Sequence, residues 1–181
     1  MQYVECATFH LNTCDINQSD TPANYPTTSS YGTVNNNRTD FTFYNVDFRT
    51  ILGDMYDKYD KFNIKLSSMM YTFQNPFGAN LDERCLKINV DGLPFSNSSY
   101  HHKLGNSGFT TMGSFSMTQN IASQLYFNDD NVFTIYKPPA MANIRVYLTT
   151  QYDIAPPYVL NALFPQFDLY FRVYGVRKVE K

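Results

Sequence analysis

Hydrophobic and polar side chains alternate with a period of two along residues 61–95, and this stretch predicts the two principal strands of the chain. The alternating apolar residues are Phe62, Ile64 and Leu66 in the first strand and Leu86, Ile88 and Val90 in the second. Between them, Asn75-Pro76-Phe77-Gly78 supplies turn chemistry, because proline fixes φ and glycine permits a positive φ. We therefore expect the two strands to form an antiparallel hairpin.

The apolar phase changes parity inside the first of these strands. After Leu66, the next apolar positions are 69, 71 and 73, which are odd instead of even. A slip of one residue would turn the second half of the strand to the wrong face of the sheet. One extra residue must therefore be accommodated, and we predict a β-bulge at Ser67-Ser68.

Similar patterns predict further strands and one short helix. The strands are expected at 2–11, 41–46, 109–117, 124–127, 132–136, 144–148 and 167–173, with a loop at 96–107. Asp47 is placed to cap the helix, whose apolar face carries Phe48, Ile51, Leu52 and Met55. We interpret residues 1–181 as one all-β domain, a single jelly-roll β-sandwich of about eight antiparallel strands.

A long polar segment occupies residues 12–40, rich in Pro, Thr, Ser, Asn and Gly. It is too long for an ordinary connection inside a compact domain. Either it is disordered, or it is an arm that lies on another molecule. Its scattered apolar residues favour an arm that is ordered only through neighbouring chains, with Tyr25 and Tyr31 as candidate partner contacts.

The connection at 155–165 is unusually apolar, whereas surface connections are normally polar. It either closes one end of its own sandwich or forms an exposed patch that meets a partner. Five large apolar residues exceed what one barrel end needs, so we favour partner contact with part of the loop acting as a plug. The candidate contact residues here are Tyr158, Leu160, Leu163 and Phe164.

Composition excludes several classes of function. Charged residues make up only 17% of the chain, and the net charge is −2 without a sustained basic run, which argues against nucleic-acid binding. No apolar run is long enough to span a membrane, and residues 1–11 lack the pattern of a signal peptide. The three cysteines, Cys6, Cys14 and Cys85, are expected to be reduced thiols, with a Cys6–Cys14 bridge as the alternative.

The candidate chemical groups do not form a catalytic constellation. His10 is isolated, and His101 and His102 are adjacent, so on a strand they would point to opposite faces. Asp54, Asp57 and Asp60 do not match the spacing of a calcium loop. No nucleophile elbow or phosphate-binding motif is present. We therefore predict a protein that is not an enzyme and has no metal and no cofactor.

Four segments, within residues 41–176, resemble the small jelly-roll minor capsid and penton proteins of large icosahedral double-stranded DNA viruses. The segments are YDKFNIKLSSMMYTFQNP, DERCLKINVDGLPFSNSSY, FTIYKPPAMANIRVYLTT and FDLYFRVYGV. The second contains a turn pattern made by Gly92, Leu93, Phe95, Asn97, Ser98 and Tyr100. Residues 1–40 carry none of this pattern.

The resemblance implies a structural role without an active site, in which the chain cements capsomers or closes five-fold vertices. It implies that the partners are the major capsid protein and neighbouring copies, in a homo-oligomer or a lattice. The resemblance also implies that the protein is located in the capsid of the virion, which is assembled in the interior of a host cell. Two alternatives stay open: a carbohydrate- or receptor-binding jelly-roll module, and a cupin-like enzyme.

Overall fold

Two antiparallel sheets face each other in the computed structural model, which describes residues 3–13, 28–29, 32–35, 40–72, 85–96, 99–101, 106–116, 123–127, 131–150 and 166–176. The strands are β1 (Tyr3–Asn12), β2 (Thr28–Ser29), β3 (Gly32–Asn35), β4 (Asp40–Asp47), β5 (Lys61–Thr72), β6 (Cys85–Asp91), β7 (Ser99–His101), β8 (Asn106–Ser116), β9 (Ser123–Tyr126), β10 (Phe133–Tyr136), β11 (Met141–Thr150) and β12 (Gln166–Val176). Two short helices, α1 (Phe48–Leu52) and α2 (Met55–Lys58), lie between β4 and β5.

The order of the strands is that of a jelly roll. Sheet 1 has the order β1-β12-β5, and the free edge of β5 pairs with β10 along its first half and with β9 along its second half. Sheet 2 has the order β2-β3-β4-β11-β6-β8-β7. Without the short strands β2, β3 and β7, and with β9 and β10 counted as one interrupted strand, the sheets have the orders 1-8-3-6 and 2-7-4-5. The predicted all-β fold is confirmed.

Side chains from both sheets meet in one core. Its largest fully buried members are Phe41, Phe48, Phe62, Phe171, Ile64, Leu66, Met69, Leu86, Ile88, Met112 and Ile135. Because each strand alternates, its even or odd positions enter this core while the others face outward. Burying each such side chain stabilises the fold by about 1.5–3 kcal/mol relative to leaving it exposed.

The predicted bulge in β5 is confirmed, and the extra residue is Ser67. In the pairing of β5 with β12, Leu66 lies opposite Phe171 and Ser68 lies opposite Tyr170, so Ser67 has no opposite residue. The Ser67 hydroxyl donates a hydrogen bond to the backbone carbonyl of Tyr170 at 2.9 Å. Phe62, Ile64, Leu66 and Met69 all reach the core as a result.

The predicted hairpin between β5 and β6 is wrong. The two strands belong to different sheets and face each other across the core. Alternation identifies the buried face of a strand but not its partner, and both strands present apolar faces to the same core from opposite sides. The expected turn at 75–78 lies outside the described residues.

The single predicted helix is divided into two. Asp47 caps α1 as expected: its carboxylate accepts hydrogen bonds from the Thr50 backbone N–H at 3.0 Å and from the Thr50 hydroxyl at 2.7 Å. These bonds, the backbone one foremost, hold the pKa of Asp47 below its ordinary value. The chain then turns at Gly53, whose φ of +52° favours glycine, and α2 starts at Met55.

Two polar segments form strands that alternation does not predict. Residues 99–101 of the expected loop 96–107 form β7, which pairs with β8. Within the expected arm 12–40, β2 and β3 form a small hairpin, and β3 pairs with β4 of the same chain. The expectation that this segment is ordered only through neighbouring chains is therefore wrong for 32–35. Residues 14–27, 30–31 and 36–39 lie outside the described residues.

Candidate interaction surface

The partner contacts predicted from sequence do not fall within the described part of the chain. They are Tyr25, Tyr31, Tyr158, Leu160, Leu163 and Phe164. The choice between a plug and an interface for 155–165 therefore stays a prediction. The described strands carry a different surface, on the outer face of sheet 1.

Aromatic side chains form a row across the outer face of sheet 1. The register aligns His10 of β1, Tyr170 of β12, Ser68 of β5 and Tyr126 of β9 on four successive strands. Their sequence neighbours Leu11, Leu169 and Met69 are buried in the core, so the four side chains of the row point outward. Tyr126 is 77% exposed. We call these four residues the outer row.

The bulge at Ser67 determines which side chains join this surface. Without the extra residue, strict alternation from Phe62 would bury Met70 and expose Met69. The bulge reverses this arrangement: Met69 is fully buried and Met70 is 47% exposed. Met70 lies opposite Asp168 on one side and Gln124 on the other, one step along the strands from the outer row.

Tyr170 and Asp168 form the polar centre of this surface. The Tyr170 hydroxyl donates a hydrogen bond to Oδ2 of Asp168 at 2.9 Å, which raises the pKa of Tyr170 because the charged acceptor favours the protonated phenol. Since Asp168 lies two residues earlier on the same strand, the tyrosine ring lies along β12. The His10 ring meets it edge to face at 5.6 Å. Oδ1 of Asp168 is buried and has no hydrogen-bond partner among the described residues.

The outer face of sheet 2 has a different character, because its polar groups bond to one another. Asn89 donates to the Thr149 hydroxyl at 2.9 Å and accepts from Thr111 at 2.7 Å. Arg145 makes two hydrogen bonds to Asp40, at 2.9 and 2.6 Å, and this pairing raises the pKa of Arg145. These bonds satisfy the side chains within the sheet.

The space between the sheets holds a small apolar gap with room for no more than about one water molecule. It is lined by Thr13, Phe41, Phe43, Met69, Ile88, Val146, Leu148 and Leu169. Within the described ranges, no three metal-ligating side chains come together. No helix found there has the length and apolar character needed to cross a membrane.

Sequence reasoning missed the outer row as a candidate site. Its residues are dispersed over four strands, and only the register brings them together. One signal was present: once a bulge is placed at Ser67-Ser68, parity sends the apolar Met70 to the outer face. An apolar side chain on the polar face of a strand is a reason to look for a partner.

Comparison with known proteins gives one structural similarity. No family model and no curated protein matches the sequence. Among solved structures, the chain is similar to the cryo-EM structure of the giant freshwater prawn Macrobrachium rosenbergii extra small virus virus-like particle, with 10% sequence identity and a TM-score of 0.27. The match covers 96% of this chain and 80% of the other. At that score the superposition is too loose to transfer the role of any residue.

Proposed function

We propose that the chain is a non-enzymatic structural protein of a virus capsid, a minor capsid or vertex jelly roll that contacts neighbouring capsid subunits. The observation that carries the proposal is the strand order of the two sheets, 1-8-3-6 and 2-7-4-5, because capsid proteins are among the main users of the jelly roll. The sequence resemblance over 41–176 supports the same class. This structural role needs no cofactor. Under this proposal the protein is located in the virion.

The partners in this proposal are the major capsid protein and further copies of the chain. The contacts lie in the two segments that the sequence singles out, with Tyr25 and Tyr31 in 12–40 and Leu160 and Phe164 in 155–165. Burying a typical aliphatic or aromatic side chain gains about 1.5–3 kcal/mol. Two or three such residues are enough to anchor a neighbouring subunit.

Mass spectrometry of purified particles tests the class of function. Peptides of this chain should co-purify with those of a major capsid protein through density-gradient centrifugation. Complete absence of the chain from purified particles, with the chain abundant in the soluble fraction of the same cells, would contradict a capsid role.

Substitutions in 155–165 test the proposed contact. The double variant Leu160→Ser/Phe164→Ser should leave the melting temperature of the isolated protein unchanged and abolish its assembly. A large fall in melting temperature would instead identify a plug of the sandwich. Met141→Ser is the matched control, because Met141 is an exposed apolar residue at the start of β11, and it should change neither quantity.

A further inference from the structure

We propose that the outer row of sheet 1, His10–Tyr170–Ser68–Tyr126, binds a neutral oligosaccharide. This activity goes beyond a capsid role and does not depend on it. The row crosses four strands, and three strand spacings amount to about 14 Å. That length exceeds a single sugar ring and suits a short chain of sugars.

The row places the small side chain of Ser68, which is 8% exposed, between two large ones. Tyr170 and Tyr126 lie on either side of Ser68, two strand spacings or about 9.5 Å apart. Because the serine side chain is short and nearly buried, it lies at the base between the two tyrosines, and a ligand would contact mainly the tyrosine rings. The C–H face of a sugar can pack against an aromatic ring, and tyrosine adds a hydroxyl at the wet end of the contact.

Polar groups around the row match the hydroxyl groups of a sugar, which both donate and accept hydrogen bonds. Asp168 offers acceptors, exposed Arg172 offers donors, and the amide of exposed Gln124 offers both. Asp168 lies two residues before Tyr170 and Arg172 lies two residues after it. All three therefore share the outer face of β12. Lys65, which lies opposite Arg172 in the register, is buried. Among the described charged residues beside the row, Asp168 and Arg172 are the two that are not buried, and their opposite charges favour a neutral ligand.

The unpaired oxygen of Asp168 points to a missing donor. A buried carboxylate oxygen without a partner is costly and calls for an explanation such as a ligand. Met70 lies directly opposite Asp168 and is 47% exposed, and methionine side chains are flexible. Rotation of Met70 would open Oδ1 to a sugar hydroxyl, which then supplies the donor.

The same features argue against a protein partner as the occupant. The centres of protein–protein interfaces are depleted in charged residues. Here Asp168 and Arg172 flank the central Tyr170. Aromatic side chains combined with a few polar groups that fix orientation are instead found in sites for small ligands.

Binding of three trisaccharides to the full chain tests the proposal. Chitotriose, cellotriose and maltotriose are titrated separately, with saturation-transfer NMR to detect contact and calorimetry to measure Kd. At least one should bind the wild-type chain, and Tyr126→Ala and Ser68→Leu should each raise its Kd about tenfold or more, whereas Tyr126→Phe should stay within about threefold. Circular dichroism verifies that each variant is folded.

Tyr136→Ala is the matched control. Tyr136 is 48% exposed on the same outer face but pairs with Lys61, at the other end of β5, so its loss should leave Kd unchanged. Three results would overturn the proposal: no saturation transfer to any of the three sugars, an equal loss in Tyr136→Ala, or a change of oligomeric state in Tyr126→Ala without an effect on sugar binding. None of them bears on whether the chain is present in purified particles.

Discussion

Ser67 donates its hydroxyl hydrogen to the backbone carbonyl of Tyr170, at the one position where β5 has a residue more than β12. The hydrogen bond therefore forms across the irregular step in the register. On one side of this step Phe62, Ile64 and Leu66 enter the core, and on the other side Met69 does. The extra residue thus reconciles the two halves of the longest strand.

Deletion of Ser67 should destabilise the protein by roughly 5 kcal/mol or more, comparable to the loss of one or two large core side chains. Without the extra residue, either 62–66 or 68–72 must turn its apolar side chains outward. Urea denaturation measures the free energy of unfolding. Ser67→Ala removes only the hydrogen bond and should lose about 1 kcal/mol. Equal stability of the deletion variant and the wild type would show that the bulge is dispensable.

Replacement of Gly92 by alanine should destabilise more than the same change at Gly53. Both glycines have positive φ, +88° and +52°, so either alanine would be strained, by about 1–3 kcal/mol. A Cβ at Gly92 would in addition overlap the backbone oxygen of Asn143, whereas a Cβ at Gly53 meets no atom. Thermal unfolding gives the fall in melting temperature for each variant, and the difference between the two falls reports the cost of the steric overlap at Gly92. Similar melting temperatures for both variants would contradict this prediction.

The contribution of the Asp47 cap should depend on pH. Its pKa in the folded protein lies below the ordinary value of 3.8, so the stabilisation is fully present above that value and is lost as pH falls through the folded pKa. Asp47→Ala should therefore lower the melting temperature at pH 7 and have a shrinking effect below about pH 4.

Asp47→Asn is the control for this measurement. Asparagine is also a favourable N-cap residue, whose side-chain oxygen accepts the same kind of hydrogen bond, but it does not titrate. Its melting temperature should be close to that of the wild type at pH 7, and the acid-dependent part of the difference should vanish. A pH-independent effect of Asp47→Ala would show that the charge of the cap is unimportant.

The pairing of Arg145 with Asp40 should contribute about 0.5–1 kcal/mol, since both side chains are partly exposed and the charges are screened by water. A double-mutant cycle with Asp40→Ala and Arg145→Ala gives this coupling energy. It should fall as salt is added. Arg145→Lys should keep part of it, because a lysine cannot reproduce two parallel hydrogen bonds. A coupling of zero at low salt would contradict the structural role.

Alternation predicted the faces of the principal strands well, because burial of an apolar face is a local property of the sequence. Leu86, Ile88 and Val90 are completely buried, as their spacing indicates. The parity change after Leu66 also located the bulge. A strand's partner, however, depends on residues far away in the chain. For this reason β5 and β6 were expected to form a hairpin although they lie in different sheets.

Short edge strands and the set of residues that make up the outer row could not be predicted from the sequence, for related reasons. Residues 99–101 are polar and read as a loop, yet β8 supplies them with a backbone partner. Edge strands need few apolar residues because they bury little side-chain area. The outer row combines side chains as far apart in sequence as His10 and Tyr170, and only the pairing of β1 with β12 brings them together.

The position of β12 sets the order in which the molecule can be completed during synthesis. This strand lies between β1 and β5, so within the described strands β1 has no neighbour in sheet 1 until residues 166–176 have been made and released from the ribosome. Sheet 2 has no such dependence after β11, because β4 and β6 both pair with β11. A nascent chain whose β11 has left the ribosome but whose β12 has not should therefore hold sheet 2 while β1 still lacks its strand partner and is open to chaperones.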